Sequence, residues 1–273
     1  MKLRTRVALA ATAAATALAA SAGPALGWAP ADSAPIHPGV QTNTEGSGQC
    51  TANFIFEDGS STYIGQAAHC SSTGEATETD GCTSASLPLG TRVEIEGATR
   101  PGVMVYNSWL AMQEAGETDP DACAYNDFAL VRIDPADVEL VNPSIPFWGG
   151  PVGLSTSGTS TGAKVLSYGN SSLRGGITQL SPKEGFSLGT SANGWNHSVY
   201  TLTPGIPGDS GSAFLDGQGR ALGVLSTLAL APLALSNGVG DLAHEIAWAN
   251  DEGGQSIRLV NGTEPFRGPL LPI

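Results

Sequence analysis

Gly208-Asp209-Ser210-Gly211-Ser212 is the stretch that decides how the rest of this chain is read. A serine hydroxyl is a weak nucleophile, so it needs a base to take its proton and a third group to hold that base in the right tautomer. Both are present upstream inside short motifs of their own, His69 in Ala67-Ala68-His69-Cys70 and Asp127 in Asn126-Asp127-Phe128-Ala129-Leu130. Isolated Ser, His and Asp residues carry no information. Three of them, each embedded in a motif and ordered His69, Asp127, Ser210, form the set required for acyl transfer, and they are the candidate catalytic residues.

Working outward, the start of the chain has the pattern of a targeting segment. Lys2, Arg4 and Arg6 precede an apolar run from Val7 to Ala20, and Ala20-Ser21-Ala22 offers a small-residue cleavage site. Residues 1–22 are expected to be a signal peptide, which makes the protein an exported, extracellular one. The run is too short and too alanine-rich for a good membrane span. Loss of that segment would leave 9 Lys and Arg against 25 Asp and Glu, a formal charge of −16. Such an acidic chain lacks the basic clusters that nucleic acid or an anionic membrane would require, and neither is expected as a partner.

The 36 glycines and 18 prolines imply many turns and short strands. Strands are expected over Thr51–Phe56, Thr62–Gln66, Thr91–Ile95, Val103–Asn107 and Phe128–Ile133, with Asp58-Gly59 as a hairpin turn, and then over Lys164–Tyr168, Gly176–Leu180, Val199–Leu202, Ser212–Leu215 and Ala221–Leu228. The apolar stretch Ala221–Leu235 is broken by Ser226, Thr227 and Pro232 and reads as strand plus loop. Asp241 can cap a helix over Leu242–Asn250. The expected organisation is an extended arm at 23–47, a first β-barrel at 48–140, a connector at 141–156, a second barrel with the helix at 157–250, and an irregular tail at 251–273. Four cysteines in an exported chain point to disulfides and allow three pairings. The favoured one is Cys50–Cys70, pinning the strands that carry His69, with Cys82–Cys123 tying a long loop to the segment before Asp127.

The residues around His69, Asp127 and Ser210, with the Cys50–Cys70 spacing, resemble the chymotrypsin-like (trypsin-fold) serine proteases, in particular exported bacterial members. The resemblance runs from about Gly48 to Asn250. It implies an all-β fold of two six-stranded antiparallel barrels with a short C-terminal helix and the active site between them. It implies a secreted serine endopeptidase that needs no cofactor, acts on polypeptides and works as a monomer. The oxyanion donors would be the N–H groups of Gly208 and Ser210. Pro204, Ser226 and Leu228 would shape the substrate pocket, and because Pro204 stands where an acidic residue would select Lys or Arg, small or medium apolar residues are expected before the cut. Asp209 would be buried and need a cation, for which Arg174 and a freed amine at Ile36 are the candidates, Ile36 being too close to Cys50 to reach.

The chain departs from that pattern in two places. Ile206 replaces a frequent half-cystine, and Ser226-Thr227-Leu228 replaces Ser-Trp-Gly. Among the remaining polar residues, Glu75, Glu78 and Asp80 could hold calcium but read better as a solvated acidic loop, so no metal is expected. His37, His197 and His244 read as surface or capping residues, and the glycosylation patterns at Asn170, Asn196 and Asn261 are too short to carry weight. Two rival functions remain: an esterase with the same triad, disfavoured because G-x-S-x-G esterases place Asp and His after the serine, and a catalytically silent binding module, disfavoured by the complete triad.

Overall fold

The computed structural model describes residues 27–75, 79–229 and 233–270. The expected signal peptide and Glu78 therefore lie outside the described residues. The first half contributes strands β1 (Gln41–Thr44), β2 (Gln49–Thr51), β3 (Ile55–Glu57), β4 (Thr62–Gln66), β5 (Arg92–Ile95), β6 (Gly102–Asn107) and β7 (Ala129–Arg132). The second contributes β8 (Lys164–Tyr168), β9 (Pro182–Ser191), β10 (Asn196–Thr201), β11 (Ala213–Asp216), β12 (Ala221–Ala229) and β13 (Ser236–Asp241), and the tail adds β14 (Arg258–Leu259). Strands β8–β13 close into a six-stranded barrel of order β10-β13-β12-β11-β8-β9, while the others form an eight-stranded sheet of order β14-β3-β4-β7-β6-β5-β1-β2. All the strand pairs are antiparallel.

Period-two burial builds these strands. In β5, Arg92 and Glu94 face solvent while Val93 and Ile95 are buried, and β6 alternates in the same way before it ends. Val165, Val199, Phe214, Leu222, Leu225 and Val239 fill one cluster of the barrel, and a larger cluster that includes Phe54, Phe128, Trp148, Leu215 and Trp248 joins the two halves. The hairpin expected at Asp58-Gly59 is present, with Gly59 at φ 89° and Asp58 Oδ1 accepting the N–H groups of Ser60 and Ser61.

Several expectations need correction. Gly176–Leu180 is not a strand: it ends in a 3-10 turn over Thr178–Leu180 that follows another over Ser172–Arg174, and between them Gly175 and Gly176 take positive φ and break an extended path. The first sheet begins before residue 48, since β1 lies within the expected arm, and β14 in the otherwise irregular tail pairs with β3. Two helices were not expected, α1 (Ser108–Ala115) and α2 (Pro120–Tyr125). Each has a side-chain cap: Asn107 accepts from Trp109 and Leu110 N–H, and Asp119 accepts from Asp121 and Ala122 N–H with Pro120 in the first turn. The helix expected after Asp241 is α3 (Leu242–Asp251), with Leu242, Ile246 and Ala249 buried.

Candidate active site

His69 follows β4 in a 3-10 turn over Ala68–Ser71. The turn is fixed from one side by the Cys50–Cys70 disulfide and from the other by Asp127, which α2 delivers just before β7. Cys82–Cys123 ties α2 in place, so both favoured pairings are present. Asp127 Oδ2 lies 2.7 Å from His69 Nδ1, and Oδ1 accepts the His69 backbone N–H at 2.9 Å. Ser226 donates its hydroxyl to the same Oδ2 at 2.5 Å. Ser226 does line the cleft, but its hydroxyl is directed to Asp127.

The pair is electrostatically coupled. Burial pulls His69 down, yet the Asp127 charge and hydrogen bond outweigh it and hold the imidazole above its ordinary value. Burial pushes Asp127 up, and His69 together with the hydroxyl of Ser226 outweighs that and holds the carboxyl below its ordinary value. The imidazole is thereby fixed with Nδ1 toward Asp127 and its other nitrogen available for chemistry.

Ser210 reaches the same cleft from the second barrel. Its carbonyl accepts Thr51 N–H at 2.8 Å, and Thr51 Oγ1 and Gln49 Nε2 donate to Gly208 O at 2.8 and 2.9 Å, so β2 of the first half grips the turn that carries Ser210. Gly211 is required there. Its φ is 86°, and a Cβ would lie 2.7 Å from Thr51 O and 2.9 Å from Ala67 N. Within the turn, Asp209 N–H bonds Ile206 O and Gly211 N–H bonds Leu225 O. Gly208 N–H and Ser210 N–H donate to no protein group among the described residues, which leaves both able to meet an acceptor in the cleft. No hydrogen bond joins Ser210 Oγ to His69 among the described residues.

Beneath the turn, Asp209 is fully buried and has two cationic partners. Arg174 Nη2 and Lys183 Nζ both reach Oδ2, the lysine at 3.0 Å, while Ser171 N–H bonds Oδ1 at 3.0 Å. Arg174 is where the sequence placed it. Lys183 was not foreseen; it lies in the unpredicted β9, and burial holds its ammonium below the ordinary lysine value. Ile36 is buried in the interior of the chain, bridged to Val141, with its N–H on Leu140 O.

The cleft has a volume of about 590 Å³ and is lined by His69, Gly208 and Ser210, with Gly205, Ile206, Ser226, Thr227, Leu228 and Asn237 forming the pocket side contributed by the second half. Pro204 does not line it, because its carbonyl is turned onto Arg174 and Lys183. Asn237, missed in the sequence, bridges the pocket: its Oδ1 accepts Gly205 N–H at 2.9 Å and its Nδ2 donates to Thr227 O at 3.2 Å. Glu75 is exposed at the other end of the cleft and Asp80 is occupied in capping Cys82 N–H. The groups of close potential ligands among the described residues all include disulfide cysteines. His197 departs from expectation. It is fully buried between Asp241 at 2.8 Å and Thr190 at 2.9 Å, whereas His244 does sit at the helix cap on Asp241.

The architecture is the two-unit chymotrypsin-type fold, with the candidate residues assembled where its halves meet. Comparison of the sequence with protein-family models and with curated proteins gives no match. Among solved structures, the chain is similar to protease A of Thermobifida fusca, with a TM-score of 0.52 and 19% identity over 83% of this chain and 99% of that one. It is also similar to the chymotrypsin of Cellulomonas bogoriensis, with a TM-score of 0.50 and 16% identity over 82% and 98% of the two chains. No helix among the described residues is long and apolar enough to cross a membrane.

Proposed function

We propose that the protein is a secreted serine endopeptidase acting as a monomer on polypeptides. The observation that carries this reading is the His69–Asp127 pair, closed by Ser226 and opening onto Ser210 in one cleft. Ser210 Oγ attacks the substrate carbonyl carbon as His69 takes its proton, and Asp127 stabilises the imidazolium that forms. Gly208 and Ser210 N–H receive the developing oxyanion. As the tetrahedral intermediate collapses, the carbon–nitrogen bond breaks, His69 returns the proton to the leaving amine and Ser210 is left acylated; water then repeats the cycle and frees the acid.

The apolar wall of Leu225 and Leu228, with no carboxylate beside them among the described lining residues and Glu75 at the far end of the cleft, supports small or medium apolar residues before the cut. Because Arg174 and Lys183 already neutralise Asp209, no activating cleavage before Ile36 is required. The test is labelling with a fluorophosphonate probe, located at Ser210 by mass spectrometry, followed by a casein digest. Labelling with proteolysis supports the proposal. Labelling without proteolysis favours the esterase, and neither would favour the silent binding module.

A further inference from the structure

A second carboxylic acid touches the triad aspartate, and the mechanism above does not use it. Glu245, in the first turn of α3, is fully buried, and its Oε1 accepts the backbone N–H of Asp127 at 3.3 Å. Its Oε2 has no hydrogen-bond partner, and no Lys, Arg or His pairs with it among the described residues. The carboxyl presses on bare backbone: a Cβ on Gly240 would stand 2.5 Å from Oε1. Asp127, by contrast, accepts from His69 twice and from Ser226, the pattern of an ionised carboxylate. Of two adjacent buried acids, the one with neither cation nor donors to satisfy its charge keeps its proton.

We propose that Glu245 is a positioning residue of the triad that works as a neutral acid, holding Asp127 through its backbone N–H while withholding a second negative charge from His69. The proposal rests on the protease reading for its consequence and on geometry for its content. The other titratable groups around Glu245 are Asp127, Tyr106 on β6 and Asp241 at the helix cap, the last bonded to His197 and His244. Burial first, and then the Asp127 charge, hold the Glu245 carboxyl well above its ordinary range. The benefit concerns the base. Asp127 alone already raises the imidazole, and a second carboxylate would raise it by about one further unit, leaving up to about tenfold less neutral His69 near pH 7.

The experiment follows the downfield proton NMR signal of His69 Nδ1–H across pH, beside the pH profile of kcat/KM, in the wild type, Glu245→Gln and Glu245→Ala. Gln keeps a neutral carbonyl, so His69 should titrate within about 0.3 unit of the wild type, and kcat should hold. Ala removes the acceptor, so the signal should broaden or move and kcat should fall about tenfold with KM nearly constant. A His69 titration about one unit lower in Glu245→Gln would show that Glu245 carries a charge and overturn the proposal. An unchanged signal in Glu245→Ala would overturn its positioning half. A wild type that neither labels nor cleaves would defeat the protease reading instead, while the NMR arms still decide the state and role of Glu245.

Discussion

The buried Lys183 and the largely buried Arg174 share one carboxylate beneath the turn that carries Ser210, and they make an unusual prediction: either can be lost, but not both. Asp209 Oδ2 accepts from Arg174, from Lys183 at 3.0 Å and from Ile206 N–H at 3.1 Å. Burial holds the Lys183 ammonium below its ordinary value; Asp209 opposes this and the Arg174 charge adds to it, so the cluster carries one more positive charge than it needs. Replacing Lys183 with Met removes a desolvated charge along with bonds to Thr203 O and Pro204 O, and should change stability by no more than about 1 kcal/mol. Arg174→Met removes a charged hydrogen bond worth about 1.5–3 kcal/mol, but it relieves Lys183, so the net loss should fall near the lower end. The double variant leaves Asp209 uncompensated, which costs about 3–5 kcal/mol, and the turn bearing Gly208 and Ser210 should lose its shape. Urea unfolding at pH 7 and the second-order rate of fluorophosphonate labelling measure the two effects. The pH dependence adds a check on sign. The folded value of Lys183 is depressed, so its contribution to stability is fully present only above the ordinary lysine value of 10.5 and is lost as pH falls from there through the folded value; Lys183→Met should abolish that dependence. Losses that sum to the double variant's within about 0.5 kcal/mol would refute the shared-partner reasoning.

Other outcomes follow from the same geometry. Gly211→Ala should lower fluorophosphonate labelling by at least about tenfold with an unchanged far-UV spectrum, since the new methyl meets Thr51 O and Ala67 N across the two halves; wild-type labelling would contradict the placement of Ser210. Opening the disulfide of sequence separation 41 by Cys82→Ala with Cys123→Ala should reduce unfolding stability by about 3–4 kcal/mol in the chain-entropy model, and a loss below about 1 kcal/mol would count against it. The acidic limb of kcat/KM should have its midpoint above the ordinary imidazole value of 6.5, because Asp127 favours the protonated ring. By linkage, the stability His69 adds is complete below 6.5 and is lost as pH rises through its folded value. In Asp127→Asn both the kinetic midpoint and the stability transition should move down, and a midpoint that stays put would separate His69 from the limb. A peptide library should return small or medium apolar residues before the cut, and dominance of Lys or Arg there would exclude the pocket as read.

What the sequence made legible was whatever chemistry confines to a few adjacent residues. His69, Asp127 and Ser210 each sit in a motif whose neighbours set a local turn, and Asp241 announces α3 by capping it. The caps of α1 and α2 were equally local, but Asn107 ends a strand and begins a helix at once, and a reading by alternation stops at the strand. Gly176–Leu180 failed for the converse reason: it is expected as a strand, while the positive φ of Gly175 and Gly176 decides otherwise. The supporting residues were hidden by distance along the chain. Ser226 meets Asp127 across 99 residues and Glu245 meets it across 118, and neither type nor spacing marks a serine or a glutamate for such a role. Lys183 is the sharpest case. A lysine in a strand reads as a solvent-facing residue unless the strand is known to lie in the barrel beside a buried aspartate, and only closure of β8–β13 places it there. The candidate residues His69, Asp127 and Ser210 can therefore be picked out from their motifs, whereas the groups that set their charge balance come from strands and helices that only the closed fold brings together.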